Sequence, residues 1–500
     1  MKIGLYLILK IIILGNTLIL TIMNLSLKSF FYSIWIINIC ILISIILLER
    51  KRPEKTMAWL LIFIVFPPLG LILYIFLGRN WKLHTLNKGL SRDMNALLEP
   101  VLKKSEDDDF KTLATLVANT SESPVFSNNE VSIFNNGVEK FEKLKSELMK
   151  ATHHIHLEYY IVKDDDIGRE IKDILIYKAK QGVKVRFIID RVGSIKLPKS
   201  YINELRENGV VVAIYSYFLA PILKHINTQI NYRNHRKIVI IDGKVGFLGG
   251  INIGDEYLNK GKLGYWRDTH MMIRGEAVLG LQAVFLDDFL TIEDANKDYS
   301  FYESDFEDYF PMPKNCGTSA MQLAVSGPNS PYSSIMQSIL RLIYMAKDHI
   351  YIETPYFVPP ESIIEALKVA ALSGVKIKLI VPSVPDHITV FLASKTYLSE
   401  LVDCGAEVYG YKNSGFLHSK TITIDGLISS LGTANMDIRS YELNYEINSI
   451  IYDSETTKLL DNDFFVDLEN SRKMTSEEFN SSNKLQQMIE SIARIFSAIL

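Results

Sequence analysis

Five hundred residues, 48% of them hydrophobic and 11% aromatic, supply enough apolar side chain for one large or several ordinary domains. A charged fraction of 22% and a formal net charge of −3 exclude a disordered chain and a histone-like polycation. Cys40, Cys316 and Cys404 lie far apart with no CxxC spacing, which excludes a disulfide scaffold or a zinc ribbon.

Mean hydropathy is nonetheless positive, +0.11, and the excess sits at the front. Ile3–Met23, Phe31–Leu48 and Met57–Leu77 are three apolar stretches close to the roughly 20 residues needed to cross a bilayer. The first is weakened by Lys10, Asn16 and Thr17. It starts like a signal peptide but has no small-x-small cleavage site, so it reads as an uncleaved anchor. Residues 1–78 are thus predicted to be a membrane anchor of two to three hydrophobic segments. Arg50, Lys51, Arg52 and Lys55 precede the third segment, and Arg79, Lys82, Lys88 and Arg92 follow it, so neither side wins by the positive-inside rule. Pro67-Pro68 lies mid-segment and breaks a helix there. Two readings stay open: a hairpin with both ends cytoplasmic, or a kinked span. Seven basic and two acidic residues give this region a net +5, leaving −8 for the remaining 422 residues. Such an acidic body is a poor general nucleic-acid binder.

After a connector over 79–130, the body repeats itself. ATHHIHLEYYIV from Ala151 aligns with AKDHIYIETPYFV from Ala346, so Glu158 matches Glu353 at an offset of 195. GVKVRFIID from Gly182 matches GVKIKLIV from Gly374 at 192, and NHRKIVIIDGKVGFLGGIN matches LHSKTITIDGLISSLGTAN at 183. A long repeat with drifting offsets means two duplicated domains, 131–290 and 318–470, joined by an acidic, aromatic linker over 291–317. In each, a strand, a helix (Gly168–Gln181 in the first copy) and a buried strand predict an α/β fold with a parallel sheet flanked by helices. RKIVII, Asp-Gly and KVGFL read as two strands and a tight turn. Within 471–500, apolar residues at Leu485, Met488, Ile489, Ile492, Ile495, Phe496 and Ile499 define an amphipathic helix. Few basic residues flank that face, which favours packing on the body over contact with a bilayer.

The chemistry lies in the third repeat segment. His235 and Lys237 are two apart, as are His418 and Lys420, so on a strand each copy presents an imidazole beside an ammonium group. One such pair is weak evidence; two with the same Asp and Asn followers make coincidence improbable. The lysines supply fixed charge for a phosphodiester. One His can attack phosphorus, and the other can protonate the leaving alkoxide and then deprotonate the incoming alcohol or water. A carboxylate on each imidazole would fix its tautomer. This chemistry needs no metal and no other cofactor, and the lysine charges oppose a zinc ion between His235 and His418.

HRKIVIID and HSKTITID resemble the HxKxxxxD signature that occurs twice in the phospholipase D superfamily. GGINIGDEY (Gly249–Tyr257), YWRDTH (Tyr265–His270), ETPYFVP (Glu353–Pro359) and GTANMDIRS (Gly432–Ser440) resemble the bacterial cardiolipin synthases. The resemblance implies two phospholipase D-like α-β-α sandwich domains, each a mixed sheet flanked by helices, forming one pseudo-twofold body behind N-terminal transmembrane helices. It implies transfer between two phosphatidylglycerol molecules, giving cardiolipin and glycerol through a phosphohistidine. Its partners would be phosphatidylglycerol and other anionic phospholipids in the cell membrane, with the body on the cytoplasmic face. It makes His235 the nucleophile and His418 the general acid/base. Lys237, Lys420, Asn252 and Asn435 become phosphate ligands. Asp242 and Asp425 complete the catalytic motifs, as structural contacts more than as catalysts. Asp268 and Glu446 are candidates for orienting the histidines, each serving the other half. Glu158 and Glu353 are either site carboxylates or hydrogen-bonded structural ones. The family commonly shows two N-terminal spans where three apolar stretches are found here. The rival readings are a phospholipid hydrolase of the same superfamily and a non-enzymatic membrane scaffold.

Overall fold

The computed structural model describes residues 110–215, 232–292, 306–412, 414–481 and 483–497, with 53–65 and a few single positions between 33 and 74. It divides into two compact units, Met1–Asn80 and Trp81–Leu500. Within the first, a helix spans Pro53–Val65. The Trp59 and Phe63 rings lie 5.1 and 5.4 Å from Tyr74. A straight helix would hold residues 59 and 74 about 22 Å apart. Trp59, Phe63 and Tyr74 therefore do not lie along one straight helix; Pro67-Pro68, on which the choice between hairpin and kinked span turns, lies outside the described residues. Ile3–Met23 and most of Phe31–Leu48 lie outside the described residues. Among the described residues no helix is long and apolar enough to cross a membrane.

The second unit is built on one continuous mixed sheet. Its first half runs, in spatial order, Phe126–Phe134, His270–Gly275, Val245–Gly249, Lys237–Ile241, His154–Tyr159, Lys184–Asp190 and Val211–Tyr215. The second half repeats that order as Ser319–Ser326, Asn444–Ile451, Ile428–Gly432, Thr421–Ile424, His349–Glu353, Lys376–Pro382 and Glu407–Tyr411, with Ser471–Met474 added at the edge. The halves join where Phe126–Phe134 and Ser319–Ser326 pair antiparallel, Phe126 opposite Met321. The alternating strand and helix signals predicted the flanked sheet, while the edge-to-edge fusion of the halves carries no sequence signal. His154–Tyr159 and Lys237–Ile241 are buried at every position; the second reads as an apolar run, while the first keeps the alternation HIHLEY with its polar members buried as well.

Segments predicted to be connections contribute to this body. The helix Lys111–Ser121 places Leu113 and Val117 among Ile339, Leu342 and Ile364 of the second half. Tyr309, within 291–317, is fully buried; its hydroxyl accepts from Arg186 at 2.9 Å and its ring lies 4.9 Å from His154. The helix Lys484–Ser497 packs on Ile388–Asp403 through a Lys395–Glu490 pair at 2.8 Å, an Arg494–Glu400 pair and buried Ala493. Leu485, Met488, Ile489, Ile492 and Ile495 stay exposed. Periodicity located the apolar face but not the docked one, and packing of that face on the body is overturned.

The Asp-Gly pairs open three-residue connections, Ile241 pairing with Val245 and Ile424 with Ile428, and φ is positive at both members: 54° and 62° at Asp242-Gly243, 54° and 65° at Asp425-Gly426. Asp242 accepts from the backbone N–H groups of Thr152, His153 and His154 at 2.8–2.9 Å. Asp425 does the same with Lys347, Asp348 and His349. Burial raises the Asp242 carboxyl, but these donors leave it below the usual range. Each aspartate ties a turn to the start of the neighbouring strand, at the far end of its own strand from the histidine. Asp242→Ala should therefore cost roughly 2–4 kcal/mol of stability, read as a lower Tm. Its kcat per folded molecule should change little. A hundredfold kcat loss at full folding would place the carboxylate in the chemistry instead.

Candidate active site

Each histidine is docked onto the other half of the body. Arg233-Asn234 pairs in parallel with Asn444-Tyr445, and the His235 N–H donates to the Tyr445 carbonyl at 2.9 Å. Gly415–Leu417 pairs in parallel with Tyr265–Arg267, and the His418 N–H donates to the Arg267 carbonyl at 2.7 Å. In both places the residue after the accepting carbonyl is the carboxylate. His235 Nδ1–H thus donates to Glu446, 2.9 Å from Oε1, and His418 Nδ1–H to Asp268 Oδ2 at 2.6 Å. That tautomer leaves each Nε2 lone pair available.

The two carboxylates are seated differently. Glu446 also accepts from Thr433 Oγ1 at 2.6 Å and Asn444 Nδ2 at 3.1 Å. The position matched to Thr433 is Gly250, where a Cβ would stand 2.1 Å from Asp268 Oδ1. Only glycine leaves Asp268 its place. Burial pushes the Glu446 carboxyl up, but His235 and Lys237 beside it leave it below its ordinary value.

Lys237 and Lys420 are buried beneath the imidazoles, and their Nζ atoms donate to the carbonyls of His235 and His418 at 2.6 and 2.5 Å. Burial first, then repulsion from Lys420 against the pull of Glu446, brings Lys237 down to about 7; Lys420 is also lowered, chiefly by burial. Burial, with repulsion from Lys237 and Lys420 against Glu446, holds His235 down at about 4. His418 is lowered too, by burial and Lys420 against Asp268.

A cavity of about 310 Å³ brings together His235, His418, Asn252 and Asn435. Asn252 donates from Nδ2 to the Tyr257 hydroxyl at 2.9 Å and accepts at Oδ1 from the Ile161 N–H at 3.1 Å. Asn435 Oδ1 is buried and has no hydrogen-bond partner among the described residues. Asp242, Asp425, Glu158 and Glu353 do not line this cavity. Glu158 accepts from Asn234 Nδ2, and burial together with the Asp288 charge raises its carboxyl well above the usual range. Asp288 itself pairs with Arg236, the residue after His235. Glu353 stands 3.8 Å from Arg267, which pairs with Asp467 at 2.6 Å. Both glutamates thus brace the histidine and carboxylate segments from behind.

The cavity also holds residues that sequence reasoning did not single out: Tyr160, Arg233, Trp266, Tyr356, Asp386 and Arg439. Tyr160 lies 4.8 Å from the His235 ring, and Trp266 5.6 Å from His418. Trp266 and Arg439 stand inside the strings YWRDTH and GTANMDIRS, so their motifs were in view while their individual roles were not.

The family model for the cardiolipin synthase, PLD-like domain matches residues 144–262 and 339–468, and a phospholipase D-nuclease N-terminal model matches 36–79. The chain is 41% identical over 481 residues to a cardiolipin synthase of Oceanobacillus iheyensis, covering 93% of this chain and 98% of that one. It is 42% identical over 485 residues to a cardiolipin synthase of Geobacillus kaustophilus, covering 95% and 94%. Its fold is similar to that of a solved phosphatidylserine synthase from Haemophilus influenzae Rd KW20, with a TM-score of 0.60 at 13% identity, over 78% of this chain and 100% of that one. A repeat carrying two crossed His–carboxylate pairs, and likeness to these relatives over nearly their whole length, mean that the chain belongs to the cardiolipin synthase family of the phospholipase D superfamily.

Proposed function

We propose that the protein is a phosphatidyltransferase that converts two phosphatidylglycerol molecules into cardiolipin and glycerol. The reading rests on one observation above all: two imidazoles, each held by the other half's carboxylate, open on a single cavity. His235 Nε2 attacks phosphorus of the first lipid. The bond from phosphorus to the glycerol oxygen breaks, and His418, which enters this step as the imidazolium protonated at Nε2 beside Asp268, gives that oxygen its proton. The neutral His418 then takes the proton of a hydroxyl on the second phosphatidylglycerol. That oxygen attacks the phosphohistidine and frees His235. Lys237 and Lys420 offset the charge on the phosphoryl oxygens, with Asn252 and Asn435 as amide donors. Purified protein in detergent with phosphatidylglycerol should yield cardiolipin and free glycerol in equal amounts. Phosphatidic acid as the dominant product would replace transfer by hydrolysis.

The substrate is a membrane lipid, so the body works at a bilayer. Read as a hairpin, the third apolar stretch has basic residues at both ends that hold those ends at the cytoplasmic leaflet, which reporter fusions after Leu77 would test. The exposed apolar face of Lys484–Ser497 rests on that bilayer too. Its carrier helix begins at Ile388, and Thr389 and Val390 line the cavity. Combined Leu485→Asp and Ile492→Asp should weaken binding to phosphatidylglycerol vesicles about tenfold, with micellar activity retained. Unchanged vesicle binding would remove this helix from the membrane contact.

A further inference from the structure

Two guanidiniums on the cavity wall, Arg233 and Arg439, have no part in the steps above. Other buried arginines nearby are neutralised: Arg236 by Asp288 and Arg267 by Asp467, each held above the ordinary arginine range by its carboxylates against burial. Arg439 goes the other way. Burial lowers it, and the charge of Arg233 adds to that against the pull of Tyr160, Asp437 and Glu446. Arg233 hydrogen-bonds Tyr160, while its Nη1 is buried with no hydrogen-bond partner among the described residues. Two neighbouring guanidiniums, one with an unspent donor, line one hole in the cavity wall, with the Asp437 and Glu446 carboxylates near enough to act on Arg439.

Its position matters. Tyr160 lies 4.8 Å from the His235 ring and takes Arg233 on its hydroxyl. The hole is therefore one tyrosine away from the attacked phosphorus, and next to it. Arg439 enters from the other half, on the helix Ile438–Glu442. In the proposed transfer the second substrate is an alcohol that carries its own phosphodiester. That phosphate is separated from the attacked phosphorus by three carbons and two oxygens. Water and free glycerol carry no such charge.

We propose that Arg233 and Arg439 form an anion subsite for the phosphodiester of the acceptor lipid, and so select a phosphate-bearing alcohol over free glycerol and water. The inference rests on the transferase reading and names the acceptor half of the same site. It is tested on the full-length protein in micelles of phosphatidylglycerol with labelled glycerol. Cardiolipin and labelled phosphatidylglycerol both arise from one phospho-enzyme, but only cardiolipin uses a phosphate-bearing acceptor. In Arg233→Gln and in Arg439→Gln the ratio of cardiolipin to labelled phosphatidylglycerol should fall tenfold or more. A second measurement needs no variant: with the wild-type protein, glycerophosphoglycerol should compete at least tenfold better than glycerol as a soluble acceptor. An unchanged product ratio, or equal use of the two soluble acceptors, overturns the subsite while leaving the transferase reading intact. A wild-type protein that forms neither lipid product overturns that reading itself, and the subsite with it.

Discussion

His235→Ala is expected to remove all measurable turnover, and His418→Ala to leave a residue that depends on the leaving group. His235 has its Nδ1 proton held by Glu446 and its pKa held down at about 4 by burial and the two lysines against Glu446. At neutral pH it is a lone-pair nucleophile that needs no base to free it. Without it no phospho-enzyme forms, whatever the substrate. In the proposed transfer His418 puts a proton on glycerol as it leaves, a contribution of roughly 10²–10⁴-fold. A nitrophenyl phosphatidyl ester departs as a stable anion and needs no such proton. With that substrate His418→Ala should still burst and accumulate phosphohistidine, while His235→Ala should show neither. Accumulation in His235→Ala and its loss in His418→Ala would exchange the two roles. A burst in neither variant and none in the wild type would end the covalent mechanism.

The pseudo-twofold arrangement explains which parts of this site are legible in the sequence. His–Lys spacing of two on a strand is local, so His235, Lys237, His418 and Lys420 stand out, and their repetition removes chance. Asp268 and Glu446 are also a matched pair, 178 residues apart, and are legible as candidates. That each serves the opposite histidine depends on Arg233-Asn234 lying beside Asn444-Tyr445 and Gly415–Leu417 beside Tyr265–Arg267. These short parallel contacts link segments more than 140 residues apart and leave no periodicity to read. Glu158 and Glu353 show the same limit from another side. A lone carboxylate in an apolar strand announces a buried partner, but the partners Arg236 with Asp288 and Arg267 with Asp467 come from elsewhere in the chain. The strand Phe126–Phe134 reads FSNNEVSIF, too polar to announce the centre of a sheet. The exposed face of Lys484–Ser497 was visible as apolar, yet ion pairs on its other edge decide which side meets the body.

Glu446→Gln should cost roughly 10²–10⁴-fold in kcat with little change in KM. The side chain keeps its shape and can still accept from His235 Nδ1–H, but it loses the charge that stabilises the ring when phosphorus bonds to Nε2 and the imidazole becomes cationic. KM is spared because Glu446 does not line the cavity. The pH profile tests the cause. In the wild type, kcat/KM should fall as the pH drops through about 4, where His235 takes a proton and loses its lone pair. It should fall again as the pH rises, as His418, held below its ordinary value by burial and Lys420, loses the Nε2 proton that the leaving glycerol takes, and through about 7, where Lys237 loses its charge. Glu446 raises His235 and Lys237, so its neutralisation should move the acid limb and the Lys237 part of the alkaline limb to lower pH while lowering the plateau. Asp268→Asn acts on the other imidazole. Its defect in the burst phase should largely vanish with the nitrophenyl ester, where the leaving group needs no proton, although later turnover still needs His418 to deprotonate the acceptor, while the burst defect of Glu446→Gln should persist. A carboxylate that only packs the site would leave both limbs where they are, and a shared response of the two variants to the ester would remove the division of labour between the histidines.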